Sequence, residues 1–196
     1  MSNERAEAEL LNRAFRGEES AFLDIYERHR HCVFRFAYRM LGSVPAAEDI
    51  THDCFLSLLQ RPHSFNPDRA SLRTYLCAAA RNLVWKQLRR CGLEIDVEEA
   101  DEILDSALQN SPYECLRVSE IAEGVRQAIA SLPPLQREAV ILFELERLSL
   151  TDVAAAAQTD IGTIKSRLHR ARQRLRSLLA CWITSAEIST IEETKP

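Results

Sequence analysis

The chain has 196 residues, a formal net charge of −4 and 46% hydrophobic residues, a length that permits one domain or two small ones, each with a modest core. Five glycines, seven prolines and few alternating β-branched runs argue against a strand-based fold and for an all-α one. No signal peptide opens the chain and no apolar run approaches the ~20 residues that cross a bilayer, so a cytoplasmic protein without membrane insertion is expected.

Residues 5 to 16 are expected to form a short helix ending before Gly17. A longer one follows from Glu19 to Leu41, burying Phe22, Ile25, His29 or Val33, Phe36 and Met40, with Gly42 placed to end it. Ser43 and Pro45 open a third helix over 46–59, with Ala47, Ile50, Cys54, Phe55 and Leu58 inward and Glu48, Asp49, His52 and Asp53 outward as a short acidic surface. Pro62 stops it.

The loop from Arg61 to Ala70 holds Phe65, His63 and Asn66 among two arginines. Ser71 then caps a fourth helix over 72–91, which buries Leu72, Leu76, Ala79, Ala80 and Leu83 and carries Arg73, Arg81, Lys86, Arg89 and Arg90. Rings, cations and a loop side by side suit single-stranded nucleic acid, since bases stack on rings while cations follow the backbone. The plainer reading is a solvated basic helix with Tyr75 and Trp85 in the core.

Charge then divides the chain. Residues 1–92 hold 14 Lys and Arg against 11 Asp and Glu, and residues 115–182 hold 10 against 7, whereas residues 93–114 hold eight acids and no base. The overall acidity is therefore local, and 93–114 reads as a linker between two mildly basic bodies. From Cys115 a second domain begins with a helix burying Leu116, Ile121, Val125, Ala128 and Ile129. Pro133 and Pro134 break it and start another that buries Leu135, Ala139, Leu142 and Phe143.

Ser149 followed by Asp152 is a helix start of capping-box type, and an alanine run to Ala157 follows. After the break Gln158-Thr159, Asp160 caps a last helix whose Ile161, Ile164, Leu168, Ala171, Leu175 and Leu178 form one stripe. Its opposite face carries Thr163, Ser166, Arg170 and Gln173, flanked by Lys165, Arg167, His169 and Arg174. Six Lys or Arg lie between Lys165 and Arg176, with no acid among them. Two short helices joined by a tight turn, the second cationic, are the elements of a helix-turn-helix whose basic face meets phosphates and base edges. The polar tail, 183–196, is expected to fray.

The six cysteines are spread singly, without CxxC or zinc-type spacing, so no metal site and no cofactor are expected. Nothing offers a nucleophile and base in context, or a phosphate-cradling loop, and the chain is not expected to be an enzyme.

The segment TDIGTIKSRLHRARQRLR, with LPPLQREAVILFELERLSLTDVA before it, resembles the promoter-reading domain of bacterial RNA polymerase sigma factors, in particular the small extracytoplasmic-function (ECF) group. AEDITHDCFLSLLQ resembles the core-binding helix of that group, and SLRTYLCAAARNLVWKQLRR the helix that captures melted promoter bases. The resemblance implies two small helical domains joined by an acidic linker: 1–92 binding polymerase and melted promoter, 93–114 as connector, and 115–182 reading the upstream promoter element. It implies that Asp49, His52 and Asp53 touch core RNA polymerase, His52 standing where the family commonly has Gln. Phe65, Asn66, Asp68 and Arg69 would lie near a flipped base, and Arg81, Asn82, Lys86, Arg89 and Arg90 along the separated strands. Thr163, Lys165, Ser166, Arg167, His169, Arg170, Gln173 and Arg174 would meet promoter DNA. The connector would thread a polymerase channel, its acidity imitating nucleic acid; the plain alternative is a tether kept extended by self-repulsion. An anti-sigma partner is also implied. The family usually has Gly then an aliphatic residue in the helix-turn-helix turn, so Gln158 and Thr159 suggest a looser or differently shaped one. Two other classes stay in view, a stand-alone dimeric helix-turn-helix repressor and a module that sequesters another regulator.

Overall fold

A computed structural model describes residues 2–61, 64–92 and 118–180. Among these residues every regular element is helical. The connector, Pro62, His63, Leu116, the Ile121 side chain, Cys115, Cys181 and the tail, on which several expectations rest, lie outside them.

The first body is α1 (Ser2–Phe15), α2 (Glu19–Leu41), α3 (Val44–Gln60) and α4 (Leu72–Arg90). The bounds of α2 are those read from the sequence, and Gly42 ends it in the left-handed region at φ 69° with its N–H on the Tyr38 carbonyl, a conformation that costs glycine little. Helix α3 starts two residues earlier than expected. Ser43 is its cap, accepting the Ala46 N–H, and Pro45 fits the first turn, where its missing N–H has no partner to lose. Ser71 caps α4 through the Thr74 N–H. The core gathers Ile25, Val33, Phe36 and Met40 of α2, Ala47, Ile50, Cys54, Phe55 and Leu58 of α3, and Leu72, Leu76, Ala80 and Val84 of α4. His29 and Val33 are both inside; Phe22, Ala79 and Leu83 sit at the margin.

The second body is α5 (Val118–Ala130), α6 (Pro134–Val140), a π-helical segment (Ile141–Leu145), α7 (Leu150–Ala157) and α8 (Ile161–Leu178). The π segment interrupts what the sequence suggests is one regular helix. Its closing bond runs from the Glu146 N–H to the Ile141 carbonyl at 2.8 Å, five residues back, and Arg147 then turns out at φ 57°. Ile164, Leu168 and Ala171 bury the middle of the α8 stripe, while Ile161 and Leu178 at its ends are exposed.

Ser149 caps α7, accepting the Asp152 N–H at 3.1 Å, but the capping box is not reciprocal. The Asp152 carboxylate instead takes the Ser149 hydroxyl at 2.5 Å and the Thr74 hydroxyl of α4 at 3.1 Å. Helix α7 therefore packs on both α4 and α8, and its alanines allow both approaches: Ala154, Ala156 and Ala157 are buried. The two halves, which the sequence reads as separate bodies on a tether, are docked.

The turn between α7 and α8 places Gln158 at φ 53°, ψ 45°, with the Thr159 N–H on the Ala154 carbonyl at 3.0 Å. A side chain there is strained by about 1 kcal/mol relative to glycine. Gln158→Gly is expected to raise the thermal midpoint of the second body by a few degrees, less whatever the added freedom of the unfolded chain removes. Differential scanning calorimetry checks this, and a lower midpoint contradicts it.

Candidate nucleic-acid interface

Asp160 caps α8, its Oδ1 accepting the Thr163 N–H at 2.9 Å and its Oδ2 the Thr163 hydroxyl at 2.5 Å. Those bonds hold the Asp160 carboxyl below its ordinary range, the side-chain bond contributing most. They also fix the direction in which the basic helix leaves the turn. Lys165, Ser166, His169, Arg170 and Gln173 are exposed along one side, His169 and Gln173 sharing a hydrogen bond at 3.1 Å. Thr163, Arg167 and Arg174 are half-buried beside them.

Asp49, His52 and Asp53 are exposed on α3 together with Glu48. Leu56 and Leu59 are exposed on the same helix; Leu56 follows Asp53, His52 and Asp49 by three, four and seven residues, and Leu59 follows Leu56 by three and His52 by seven, which places both on that face. The acidic surface thus carries two leucines beside its four polar residues, an apolar part that the sequence pattern does not bring out.

Phe65 is half-buried edge-to-face with Tyr75, ring centroids 5.4 Å apart, and the turn after it is held by the Asn66 side chain accepting the Asp68 N–H at 2.9 Å. Asn66, Asp68 and Arg69 are exposed. Phe65, Asn66, Arg69, Thr74 and Tyr75 line a cavity of about 180 Å³ whose far wall is Ala155 and Ala156 of α7. The loop expected to receive a base therefore faces the first helix of the helix-turn-helix.

Helix α4 separates its expected contact residues. Asn82, Lys86, Arg89 and Arg90 are exposed, whereas Arg81, with only 14% of its side chain accessible, is turned into the second body. Its Nε donates to Glu138 Oε1, which also accepts the Trp85 indole N–H at 3.1 Å. Arg167 approaches the same carboxylate from α8, Glu138 favouring its charge while burial opposes it.

A second carboxylate organises the rest of the contact. Glu146 has no accessible side-chain surface and is bound by Arg35 at 2.7 and 3.0 Å, by Arg39 at 2.7 Å and by Arg73 at 3.5 Å. Arg73 also donates to the Glu146 carbonyl, and Arg137 reaches back to the Met40 carbonyl at 3.1 Å. None of these pairings was visible in the sequence. The one cue was the presence of two acids in an otherwise apolar run, AVILFELE.

Residues 25–92 match Sigma-70 region 2, and residues 122–175 match Sigma-70, region 4. The chain is 30% identical over 188 residues to the ECF RNA polymerase sigma factor SigM of Mycobacterium tuberculosis, covering 95% of this chain and 91% of that protein. The chain belongs to the ECF sigma factors. It is also 32% identical over 159 residues to the ECF sigma factor SigE of Mycolicibacterium smegmatis, covering 80% of this chain but 61% of that protein. Among solved structures, the sigma factor RpoE of Bartonella quintana, in complex with the anti-sigma factor NepR, matches with a TM-score of 0.60 at 28% identity, over 86% of this chain and 98% of that one.

In this ECF sigma factor the two buried carboxylates respond oppositely to pH. Burial pushes the Glu146 carboxyl up, but the hydrogen bond and charge of Arg35 and the charge of Arg39 outweigh it and hold the group below its ordinary range. Burial also pushes Glu138 up, and Arg81, Trp85 and Arg167 offset only part of that. The contribution of Glu146 to docking is therefore present above the ordinary carboxylate range and lost as pH falls through its docked value. That of Glu138 is present below the ordinary range and lost as pH rises through its docked value.

Glu146→Gln is accordingly expected to loosen docking at neutral pH. Removing one partner of a buried pair costs about 3–5 kcal/mol, reduced here to about 1–3 kcal/mol because the arginines keep access to water. Glu138→Gln keeps an oxygen for Arg81 and Trp85 and is expected to leave docking near that of the wild type. Small-angle X-ray scattering reads both: expansion in the first variant only is the expected outcome, and expansion in the second alone reverses the assignment.

Proposed function

We propose that this chain is an initiation subunit that binds core RNA polymerase and directs it to a set of promoters, acting in the cytoplasm in a stress or envelope response and restrained by an anti-sigma protein. The observation that carries the reading is the exposed cationic side of α8 behind a complete helix-turn-helix, in a chain whose two halves match the two sigma-70 regions in order. In this reading α8 lies in the major groove of the upstream element, and Lys165, Ser166, His169, Arg170 and Gln173 reach phosphates and base edges. Thr163, Arg167 and Arg174 complete that surface. Asp49, His52 and Asp53 meet polymerase, with Leu56 and Leu59 supplying the apolar part of the contact. Phe65, Asn66, Asp68 and Arg69 receive a flipped base, and Asn82, Lys86, Arg89 and Arg90 follow the separated strands.

Arg81 joins that path only after it leaves Glu138, so docked and DNA-engaged states exclude one another at this residue. The anti-sigma element rests on the likeness to the chain crystallised with NepR. A free-standing repressor leaves the acidic and apolar face of α3 without a role.

Purified protein added to core RNA polymerase is expected to give promoter-dependent transcription, with little specific DNA binding by the protein alone; a chain indifferent to polymerase in a pull-down removes the proposal. Arg170→Ala is expected to cost about 1–3 kcal/mol in recognition of the upstream element while leaving polymerase binding intact. Asp53→Ala is expected to weaken polymerase association, measured by fluorescence anisotropy, without altering which promoter bases are read.

A further inference from the structure

Cys32 of α2 and Cys77 of α4 meet in the first body with their sulfurs 3.5 Å apart, one residue 7% accessible and the other fully buried. The other described cysteines are placed differently. Cys54 donates its thiol to the Leu76 carbonyl at 3.5 Å, and Cys91 is exposed beyond the end of α4. Cys32 faces Arg73 and Glu146, so the sulfur pair lies directly beneath the ion cluster that docks the second body.

We propose that Cys32 and Cys77 form a dithiol redox site that a hydroperoxide converts to a disulfide, and that the docked second body shields it. Three features support this. The sulfurs need to close only from 3.5 Å to the ~2.05 Å of a disulfide. The hydrogen bond from Cys77, opposed by burial and aided by Arg73, lowers the Cys32 thiol while the same bond and burial push Cys77 up, which makes Cys32 the attacking sulfur of the pair, whereas burial pushes Cys54 up to about 12. Glu146 stands over Cys32 and its charge opposes the thiolate, so undocking both uncovers the sulfur and removes that opposition.

The chemistry is that of a hydroperoxide and two thiols. The Cys32 thiolate attacks the O–O bond; an S–O bond forms, the O–O bond breaks, and the departing alkoxide or hydroxide takes a proton. Cys77 gives up its proton and its sulfur attacks the Cys32 sulfenic acid. The S–S bond forms, the S–O bond breaks, and hydroxide leaves as water with that proton. The sulfurs are oxidised and the peroxide is reduced to an alcohol, or to water, plus one further water. This does not depend on what the chain binds, so its failure would leave the proposed function standing.

The test treats the full-length protein with hydrogen peroxide, alkylates the remaining thiols and maps the peptides by mass spectrometry. The expected product is a peptide pair joined through Cys32 and Cys77, lacking two hydrogens and separated by dithiothreitol. Cys77→Ser is expected to stop at a dimedone-trapped sulfenic acid on Cys32. Both thiols staying reduced in the wild type at peroxide levels that modify Cys91, with helicity unchanged by circular dichroism, overturns the site. Glu146→Gln is expected to form the disulfide at least about three-fold faster, and an unchanged rate overturns the shielding.

Discussion

Glu146 carries its carboxylate to a place that water does not reach, and three guanidinium groups from α2 and α4 compensate it there. A bare carboxylate in that position would be several kcal/mol too costly to stay ionised. The arginines keep one side toward solvent, so they lose less hydration than the acid does. That asymmetry favours a contact that is specific in geometry and modest in strength: the pairs fix how the halves fit, and the exposed arginines make separation affordable. The alanine face of α7 against α4 supplies close approach without long side chains to disentangle.

The docked arrangement occupies parts that the proposed function needs elsewhere. Arg81 binds Glu138, Arg167 faces it, and α7 walls the cavity beside Phe65 and Tyr75. The basic side of α8 and the mixed acidic and apolar side of α3 stay exposed. One set of surfaces is thus available from the outset, and the other only when the halves part. A partner that gains differently from the two arrangements can shift the balance between them.

Much of this architecture was legible in the chain itself. Periodicity and caps located α2, α4, α7 and α8, because Ser71, Ser149 and Asp160 satisfy local N–H groups and act over three residues. Gly42 did the same at a helix end. The resemblance of four short segments led to the family that the sequence comparisons establish. Long-range pairing was not legible. Arg81 and Lys86 look alike in a sequence, both being cations on one amphipathic helix, yet one meets a buried glutamate and the other meets solvent. Glu146 and Arg35 are separated by 111 residues, and no local rule couples them. The Asp152 side chain was expected to close a box on its own helix, and a competing hydroxyl on α4 diverted it.

The π segment also sets the spacing of the two buried acids. Glu138 and Glu146 are eight residues apart, a separation that on a regular α-helix leaves side chains about 80° out of alignment. A π turn absorbs one additional residue, so the eighth position falls where the seventh would, two turns along on the same side. The bulge thus acts as a phase corrector that lets one strut present two anchoring points to a single neighbour. Deleting one residue between Ile141 and Leu145 would leave the two acids seven apart on a regular α-helix and still aligned, whereas winding the same eight residues without the π turn would swing one anchor away.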